Sequence, residues 1–204
     1  MRRKPEETKR LIMAAATAEF ACHGLGGARV DAIAERAGAN KRMLYHYFGS
    51  KDELYLAVLE NTYTEIRKHE SELELDNLSP VEAVRELVAY TFRYFIDHPE
   101  FISLLNDENL YDAEHIKRSK KIKDMHSPLI DRLSELAARG QQSGEFRHDV
   151  DPMQLYVTIA SLGYFYLSNA ATLSTIFDRD LTTDQALDER LDHAVEVVLG
   201  YLKA

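Results

Sequence analysis

The sequence has few of the features that mark secreted, disulfide-linked or membrane proteins. Cys22 is the only cysteine in 204 residues, so no disulfide can form within the chain. Its place in the apolar pattern of the first helix predicts a buried thiol. No apolar run approaches the roughly 18 to 20 residues that a membrane-spanning helix needs, and the opening residues MRRKPEETKR lack the apolar segment of a secretory signal. We therefore expect a soluble, cytoplasmic protein without a membrane partner.

Signals for β-structure, catalysis and metal binding are also absent. We find no sustained apolar–polar alternation and no Asn-Gly or Asp-Gly hairpin turn. No P-loop, dinucleotide-binding or nucleophile-elbow pattern occurs. His98, His115, His126 and His148 lie near acidic residues, but no pair has the His-x3-His spacing typical of a metal site. The sequence therefore favours an all-α protein that is not an enzyme and needs no metal or cofactor.

Charge is distributed unevenly along the chain, whose formal net charge is −9. Residues 1–51 contain ten Lys or Arg and five Asp or Glu, a net charge of +5, whereas residues 52–204 carry −14. A basic segment is typical of a nucleic-acid-binding domain, because it is attracted to phosphate. The acidic remainder is repelled by phosphate, which helps to orient the molecule on DNA.

Residues 30–48 have the pattern of two short helices joined by a glycine turn. Four apolar residues spaced i, i+3, i+4 and i+7 place one stripe on the first helix: Val30, Ile33, Ala34 and Ala37. Gly38 then suits a left-handed turn. In the second helix Leu44 and Phe48 can face inward, which leaves polar and aromatic side chains outside. This pattern predicts a helix-turn-helix that enters a DNA major groove; the alternative is an ordinary helical pair within a bundle.

The segment from about residue 9 to residue 59 contains the strings AEFACHGLGGARV, IAERAG and LYHYFGSKDELYLAVL. Together these strings resemble the DNA-binding domain of the tetracycline-repressor (TetR) family. The resemblance implies that four residues read bases or line the groove: Lys41, Arg42, Met43 and Tyr45. It also implies phosphate contacts for His46, Tyr47 and Lys51, and Lys51 is helped there by the backbone donors of a helix N-terminus.

This chain departs from the family at the start of the second helix. The family often has threonine there, whose hydroxyl caps the helix and touches a phosphate. Here Ala28 and Arg29 occupy that place, so the hydroxyl cap is missing and Arg29 is the residue expected to reach a phosphate.

The remainder of the chain is also predicted to be helical. Capping patterns begin helices at Ser50, Ser79 and Asp151, and another helix begins near Thr182 or Thr183. The family resemblance adds an expectation of two domains. We predict a three-helix DNA-binding domain at 1–51 and a helical bundle for effector binding and dimerisation at 52–204.

A homodimer is expected from the last two long helices. The final helix has an apolar stripe that would form the seam: Leu187, Leu191, Ala194, Val195, Val198 and Leu202. The preceding helix offers small residues for a close approach: Ala160, Gly163 and Ala171. Paired across a two-fold axis, these helices would form a four-helix bundle.

A small-molecule effector pocket is the last expectation. Aromatic residues near Asn side chains resemble an apolar pocket with a few polar anchors, although an aromatic core is the alternative for any one ring. The expected lining residues are Tyr94, Phe101, Leu105, Tyr164 and Phe165, with Asn106 and Asn169 as anchors. We therefore expect a repressor released from a palindromic double-stranded DNA operator by an effector. The alternative is an effector-independent DNA-binding protein whose second domain serves only dimerisation or a protein partner.

Overall fold

The computed structural model describes residues 4–204, which form eleven α-helices and a short 3₁₀ turn at Leu75–Asn77. The first seven helices are α1 (Pro5–Gly27), α2 (Val30–Arg36), α3 (Lys41–Phe48), α4 (Lys51–Ser71), α5 (Pro80–Asp97), α6 (Pro99–Leu110) and α7 (Glu114–Arg118). The remaining helices are α8 (Lys120–Ser143), α9 (Pro152–Ser168), α10 (Ala170–Ile176) and α11 (Asp184–Leu202). The predicted all-α class is confirmed.

The described chain divides into two compact units. The first unit combines the N-terminal helices up to residue 65 with residues 99–124, and the second combines residues 66–98 with residues 125–204. Each unit is therefore built from two separate stretches of sequence, which a single division at residue 51 does not capture. The functional boundary at residue 51 stays a prediction. Two residues counted in the basic segment, Arg2 and Arg3, lie outside the described part of the chain.

The predicted capping residues begin their helices. Ser79 and Glu82 form a complete capping box at α5. The Asp151 carboxylate accepts hydrogen bonds from two backbone amides at the start of α9, and Thr183 caps α11. These caps satisfy backbone donors that have no partner within the helix. Pro128 lies inside α8 rather than at a helix start.

The core of the first unit is formed by the inner faces of its helices. Ile12, Ala16 and Phe20 of α1 are buried, as their spacing predicts. The Phe20 ring packs edge-on against Tyr55 of α4, with 5.1 Å between ring centroids. Cys22 is exposed, so the prediction of a buried thiol is wrong. The inward stripe of α1 follows Ile12, Ala16 and Phe20, and Cys22 falls on the other side.

The core of the second unit corrects the predicted dimer seam. Val195, Val198 and Leu202 of α11 are at most 3% exposed and pack in the core of their own unit. Gly163 of α9 also faces inward, because a Cβ atom there would lie 3.1 Å from the Phe92 ring. The stripe is a buried face, as its spacing predicts, but the residues that cover it belong to the same subunit. None of the helices in residues 4–204 combines the length and apolar character needed to cross a lipid bilayer.

Candidate nucleic-acid interface and ligand site

Helix α3 is held by one cap and one buried side chain. The Asn40 side chain accepts a hydrogen bond from the Met43 backbone amide at 2.9 Å. This N-cap was not identified from the sequence, although asparagine is among the preferred residues for that position. Leu44 is fully buried, as its spacing predicts. The edge of α3 that carries Leu44 is therefore fixed to the unit, and the opposite face of the helix is exposed.

Most of the predicted base-reading side chains lie on the free face of α3. Arg42, Tyr45 and His46 are exposed, whereas Met43 and Tyr47 are half-buried. A groove of about 630 Å³ runs beside them, and it is lined by Pro5, Thr8, Gly38, Asn40, Arg42, Met43, His46 and Tyr47. The helix thus presents a guanidinium, a phenol and an imidazole together, a donor set that suits base edges and phosphates.

Lys41 differs from its neighbours because it already has a partner. Its ammonium group lies 2.7 Å from the Asp31 carboxylate of α2. Both side chains are exposed, and such surface pairs contribute little to stability. The ion pair is therefore easily exchanged for a phosphate contact.

Arg29 is placed by a buried carboxylate rather than by a hydroxyl cap. Glu19 of α1 is 3% exposed, and its side chain accepts a hydrogen bond from the Arg29 backbone amide at 3.1 Å. Arg29 is the N-cap residue of α2, and its exposed side chain makes no capping hydrogen bond. Glu19 thus satisfies a donor next to the site where the family often has threonine. No pattern in the sequence indicates this role of Glu19.

Lys51 is the first residue of α4. The Ser50 hydroxyl caps this helix by accepting a hydrogen bond from the Glu53 amide at 3.0 Å. A cation here sits beside the unpaired backbone amides of a helix N-terminus, which also attract anions. The geometry is suited to a single phosphate.

Helix α6 is part of the unit that carries the helix-turn-helix. The sequence analysis did not predict this membership of α6. The Asp107 carboxylate accepts a hydrogen bond from the Leu25 backbone amide at 2.8 Å. Leu25 follows Gly24, where φ is +64° and ψ is 173°, so α1 is broken at that residue. Asp107 therefore fixes the end of α1, just before α2 begins.

A buried polar cluster fixes the turn between α6 and α7. Glu108 is 1% exposed, and one of its oxygens accepts hydrogen bonds from the backbone amides of His115 and Ile116 at 2.8 and 2.9 Å. Its other oxygen lies 2.8 Å from His115 Nδ1. The His115 ring also packs edge-on against Tyr55 of α4. Burial is the main reason that the pKa of Tyr55 lies well above its usual range.

The predicted effector residues fall in both units. Phe101, Leu105 and Asn106 belong to α6 in the first unit. There Phe101 and Leu105 line a void of only about 10 Å³ beside Tyr63, whose ring packs edge-on against Phe101. Such a void is at the lower limit for one water molecule. Asn106 is exposed.

The other four predicted residues lie in the second unit. Tyr94 is buried, and its ring centroid lies 4.2 Å from that of His98. Tyr164 is half-buried. Phe165 is 59% exposed, so no cavity of its own unit encloses it. The Asn169 amide donates to the Phe165 carbonyl at 2.8 Å and so serves the end of α9.

Arg67 and Glu70 form a buried ion pair in the second unit. Both side chains are less than 10% exposed, and Arg67 Nη1 lies 2.6 Å from Glu70 Oε2. Arg67 Nη2 donates to the Tyr156 hydroxyl at 3.2 Å, and the guanidinium lies over the Tyr156 ring. Three buried atoms have no aligned hydrogen bond: Arg67 Nε, Arg67 Nη1 and Glu70 Oε2. Burial raises the pKa of Glu70 to about 7, against the opposing effect of Arg67.

Sequence reasoning missed this pair, because Arg67 and Glu70 lie among other charged residues of α4, a pattern typical of an exposed helix face. Arg67 Nη1 and Glu70 Oε2 lie opposite each other in the ion pair, which leaves Arg67 Nε as the buried atom of this pair without a partner among the described residues. Such unpaired buried polar atoms are rare in native proteins and call for an explanation such as a ligand. Elsewhere in residues 4–204, no group of three or more His, Cys, Asp or Glu side chains is placed to hold a metal ion.

Comparisons with known proteins agree with this geometry. Residues 12–58 match the bacterial regulatory proteins of the tetR family, and residues 80–198 match the tetracyclin repressor-like C-terminal domain. The chain is 37% identical over 198 residues to the HTH-type transcriptional repressor NicS of Pseudomonas putida, which covers 97% of this chain and 93% of that protein.

Solved structures share the fold over nearly the whole chain. The transcriptional regulator SCO4942 of Streptomyces coelicolor superposes with a TM-score of 0.72 at 26% identity, covering 96% of this chain and 98% of that one. FadR of Bacillus subtilis, in complex with stearoyl-CoA, has a TM-score of 0.66 at 16% identity and covers 95% and 99%. With both sequence matches and the fold in agreement, the chain belongs to the TetR family, whose members are helix-turn-helix DNA-binding regulators of transcription rather than enzymes.

Proposed function

We propose that this protein is a homodimeric transcriptional repressor that leaves a palindromic operator when a small molecule binds its second unit. The observation that carries the DNA-binding part is the free face of α3, where Arg42, Tyr45 and His46 are exposed together. Similarity to the repressor NicS supports repression as the sign of regulation. Since a repressor acts at the chromosome, we place the protein in the cytoplasm.

Exposed apolar side chains of the second unit support the homodimer. Met153, Val157 and Phe165 follow one another on α9 at intervals of four and then eight residues, and each is at least 50% exposed. Val197 and Tyr201 of α11 are also exposed, four residues apart. Several large apolar side chains exposed on two helices of one unit are typical of an interaction site. We therefore assign the dimer surface to these outward stripes of α9 and α11, which would pair across a two-fold axis.

Removing the donors of α3 should weaken operator binding. Arg42→Ala and Tyr45→Ala are each expected to reduce affinity by about 5- to 150-fold, because a good base contact is worth about 1–3 kcal/mol. Folding should be nearly unaffected, since both side chains are exposed. A duplex selected by the protein from a random library supplies the operator, and fluorescence anisotropy measures its affinity.

Arg93→Ala provides the matched control for the α3 variants. Arg93 is an exposed arginine of α5 in the second unit, so its loss changes the net charge as Arg42→Ala does. Operator affinity should be unchanged in this variant. If the wild type, Arg42→Ala and Tyr45→Ala bind the operator with equal affinity, the assignment of α3 as the helix that reads the bases is wrong.

The buried Arg67–Glu70 pair supports an effector site in the second unit. Its unpaired Arg67 Nε donor can be satisfied by a ligand that carries a hydrogen-bond acceptor. Aromatic and imidazole rings of the same unit would pack on the apolar part of the ligand: Tyr90, Tyr94, His98, His126 and Tyr156. We propose Arg67 and Tyr156 as polar anchors for a ring-bearing molecule of modest size. The stearoyl-CoA complex of FadR supports ligand binding by this fold.

Effector release can follow the chain where it passes from the second unit into the first. Helix α5 belongs to the second unit and continues through His98 and Pro99 into α6 of the first. In the first unit Asp107 holds the end of α1 through Leu25. A ligand that shifts α5 and α6 would thus reorient the reading helix. The ligand must prefer the released conformation, with a coupling of typically about 1–3 kcal/mol.

An effector should stabilise the protein and release the operator together. We expect a library of ring-bearing molecules with carbonyl, carboxylate or amide groups to contain such a compound. At about 100 times its dissociation constant it should add about 2.7 kcal/mol to the free energy of unfolding. Tyr156→Phe should lower the affinity of the protein for that compound, because the phenol hydroxyl is lost while the ring stays. Thermal melting and operator anisotropy measure the two effects.

Tyr166→Phe provides the control for the effector prediction. The Arg190 guanidinium lies 5.3 Å from the Tyr166 ring centre, much as Arg67 lies 5.4 Å from that of Tyr156, but the Tyr166 hydroxyl donates to the Leu181 backbone carbonyl at 2.9 Å. This variant should bind the compound as the wild type does. A library without any compound that both raises the melting temperature and releases DNA would favour the effector-independent alternative.

A further inference from the structure

The first unit carries a patch of exposed cations outside the helix-turn-helix. The basic patch consists of Lys117, Arg118, Lys120, Lys121 and Lys123, at the end of α7 and the start of α8. All five residues are exposed. By sequence alone, the basic segment from His115 to His126 is typical either of an ordinary solvated helix face, which we favour, or of nucleic-acid binding. Its placement in the structure gives a reason to assign it a function.

Two contacts anchor the basic patch along α4. Arg118 forms an ion pair with Glu53, in the first turn of α4. The Ser119 hydroxyl donates to a Glu60 oxygen at 2.6 Å, two turns further along the same helix. Glu53 lies only two residues after Lys51, the proposed phosphate contact. The basic patch therefore lies beside the end of α4 that faces DNA in the proposed complex.

The charges of the basic patch are largely uncompensated. Arg118 is paired with Glu53, and the Lys123 ammonium donates to the Lys117 backbone carbonyl at 3.0 Å. Among the described residues, the ammonium groups of Lys117, Lys120 and Lys121 have no acidic partner within ion-pair distance. The nearby acids in sequence are the exposed Glu114 and Asp124. Three cations without an acidic partner in the described part of the chain thus lie close together in sequence, in a chain whose net charge is −9.

We propose that the basic patch binds the DNA backbone next to the half-site that α3 reads. Lys117, Lys120 and Lys121 would each neutralise a phosphate without reading sequence. This contact would extend the interface from α3 and Lys51 along the duplex. The proposal rests on the assignment of α3 and Lys51 to the DNA face.

The test compares salt dependences of operator affinity. Each phosphate contact contributes about 0.9 to the slope of log affinity against log salt concentration. The triple variant Lys117→Gln/Lys120→Gln/Lys121→Gln removes up to three contacts from each subunit, so it should lower the magnitude of that slope by up to about 5.4 for the dimer on its operator. Lys123 and Arg118 stay unchanged because they hold the patch in place. The double variant Lys120→Gln/Lys121→Gln keeps α7 intact and should lower the slope by up to about 3.6 for the dimer. It replaces the triple variant if that variant does not fold.

The control has the same change in net charge at a different place. Lys68, Arg85 and Arg93 are exposed cations of the second unit, and Lys68→Gln/Arg85→Gln/Arg93→Gln should leave the slope within about 0.5 of the wild type. A reduction of at least about 0.9 in the patch variant beyond this control supports the proposal. A smaller reduction overturns it and leaves the cations to another partner, such as an acidic protein.

Lys51→Ala separates this proposal from the assignment of the DNA face. It should lower the slope by about 1.8 for the dimer, or about 0.9 for each subunit. If Lys51→Ala lowers the slope and the patch variants do not, only the basic patch proposal fails. If neither lowers the slope, the assignment of the DNA face fails as well.

Discussion

Val157→Glu/Phe165→Glu should convert the dimer into folded monomers. Both side chains are at least 50% exposed in the subunit, so the changes cost the fold little, but they place like charges opposite each other across a two-fold axis. We expect the dimer dissociation constant to rise at least about 1,000-fold, or about 4 kcal/mol. Operator affinity should fall by about 10²- to 10⁴-fold, because the half-sites are no longer held together. Light scattering and anisotropy measure both.

The control for this prediction adds the same charge elsewhere in the second unit. Ser134 and Gln142 are exposed residues of α8, and Ser134→Glu/Gln142→Glu should remain dimeric. Val195→Glu provides the opposite comparison. Val195 is 3% exposed in the subunit core, so a buried charge there should unfold the second unit rather than produce folded monomers. A clean dimer in Val157→Glu/Phe165→Glu would refute the α9 surface.

These two sets of residues show where prediction from sequence succeeds and where it fails. Spacing correctly identified the face of α11 that is buried, because a stripe of Val195, Val198 and Leu202 is apolar whatever covers it. Spacing cannot identify the covering element. The core of the second unit covers that face, so it is not available to a second subunit. The apolar residues that do remain exposed, such as Val157 and Phe165, lie on a helix that is apolar on nearly every side.

The DNA-binding helices were more predictable than the ligand site for a similar reason. The helix-turn-helix depends on local spacing, a glycine turn and the buried Leu44, all within about 20 residues. The polar pair in the second unit depends on distant contacts. Arg67 reaches Tyr156, 89 residues away, and no local pattern signals that approach. Pockets and buried ion pairs are therefore the features that sequence reasoning missed.

Gly24→Ala should destabilise the first unit by about 3 kcal/mol or more. The backbone at Gly24 has φ +64° and ψ 173°, a region that is essentially restricted to glycine and costs other residues about 1–3 kcal/mol. A Cβ atom there would also lie 2.5 Å from Asp107 Oδ1. The carboxylate would have to move and release the Leu25 amide, and an unpaired buried donor costs about 1–3 kcal/mol. Urea unfolding measures the change.

Two comparisons separate backbone strain from the loss of the Asp107 contact. Gly144 also has a positive φ of +77°, but no atom lies within 4 Å of a Cβ built there. Gly144→Ala should therefore cost only the strain, about 1–2 kcal/mol. In an Asp107→Ala background Gly24→Ala should cost less than in the wild type, by about 1–3 kcal/mol, because no carboxylate remains to be displaced. If the two changes are additive, Asp107 does not hold the end of α1, and the proposed route from α6 to the reading helix loses its first link.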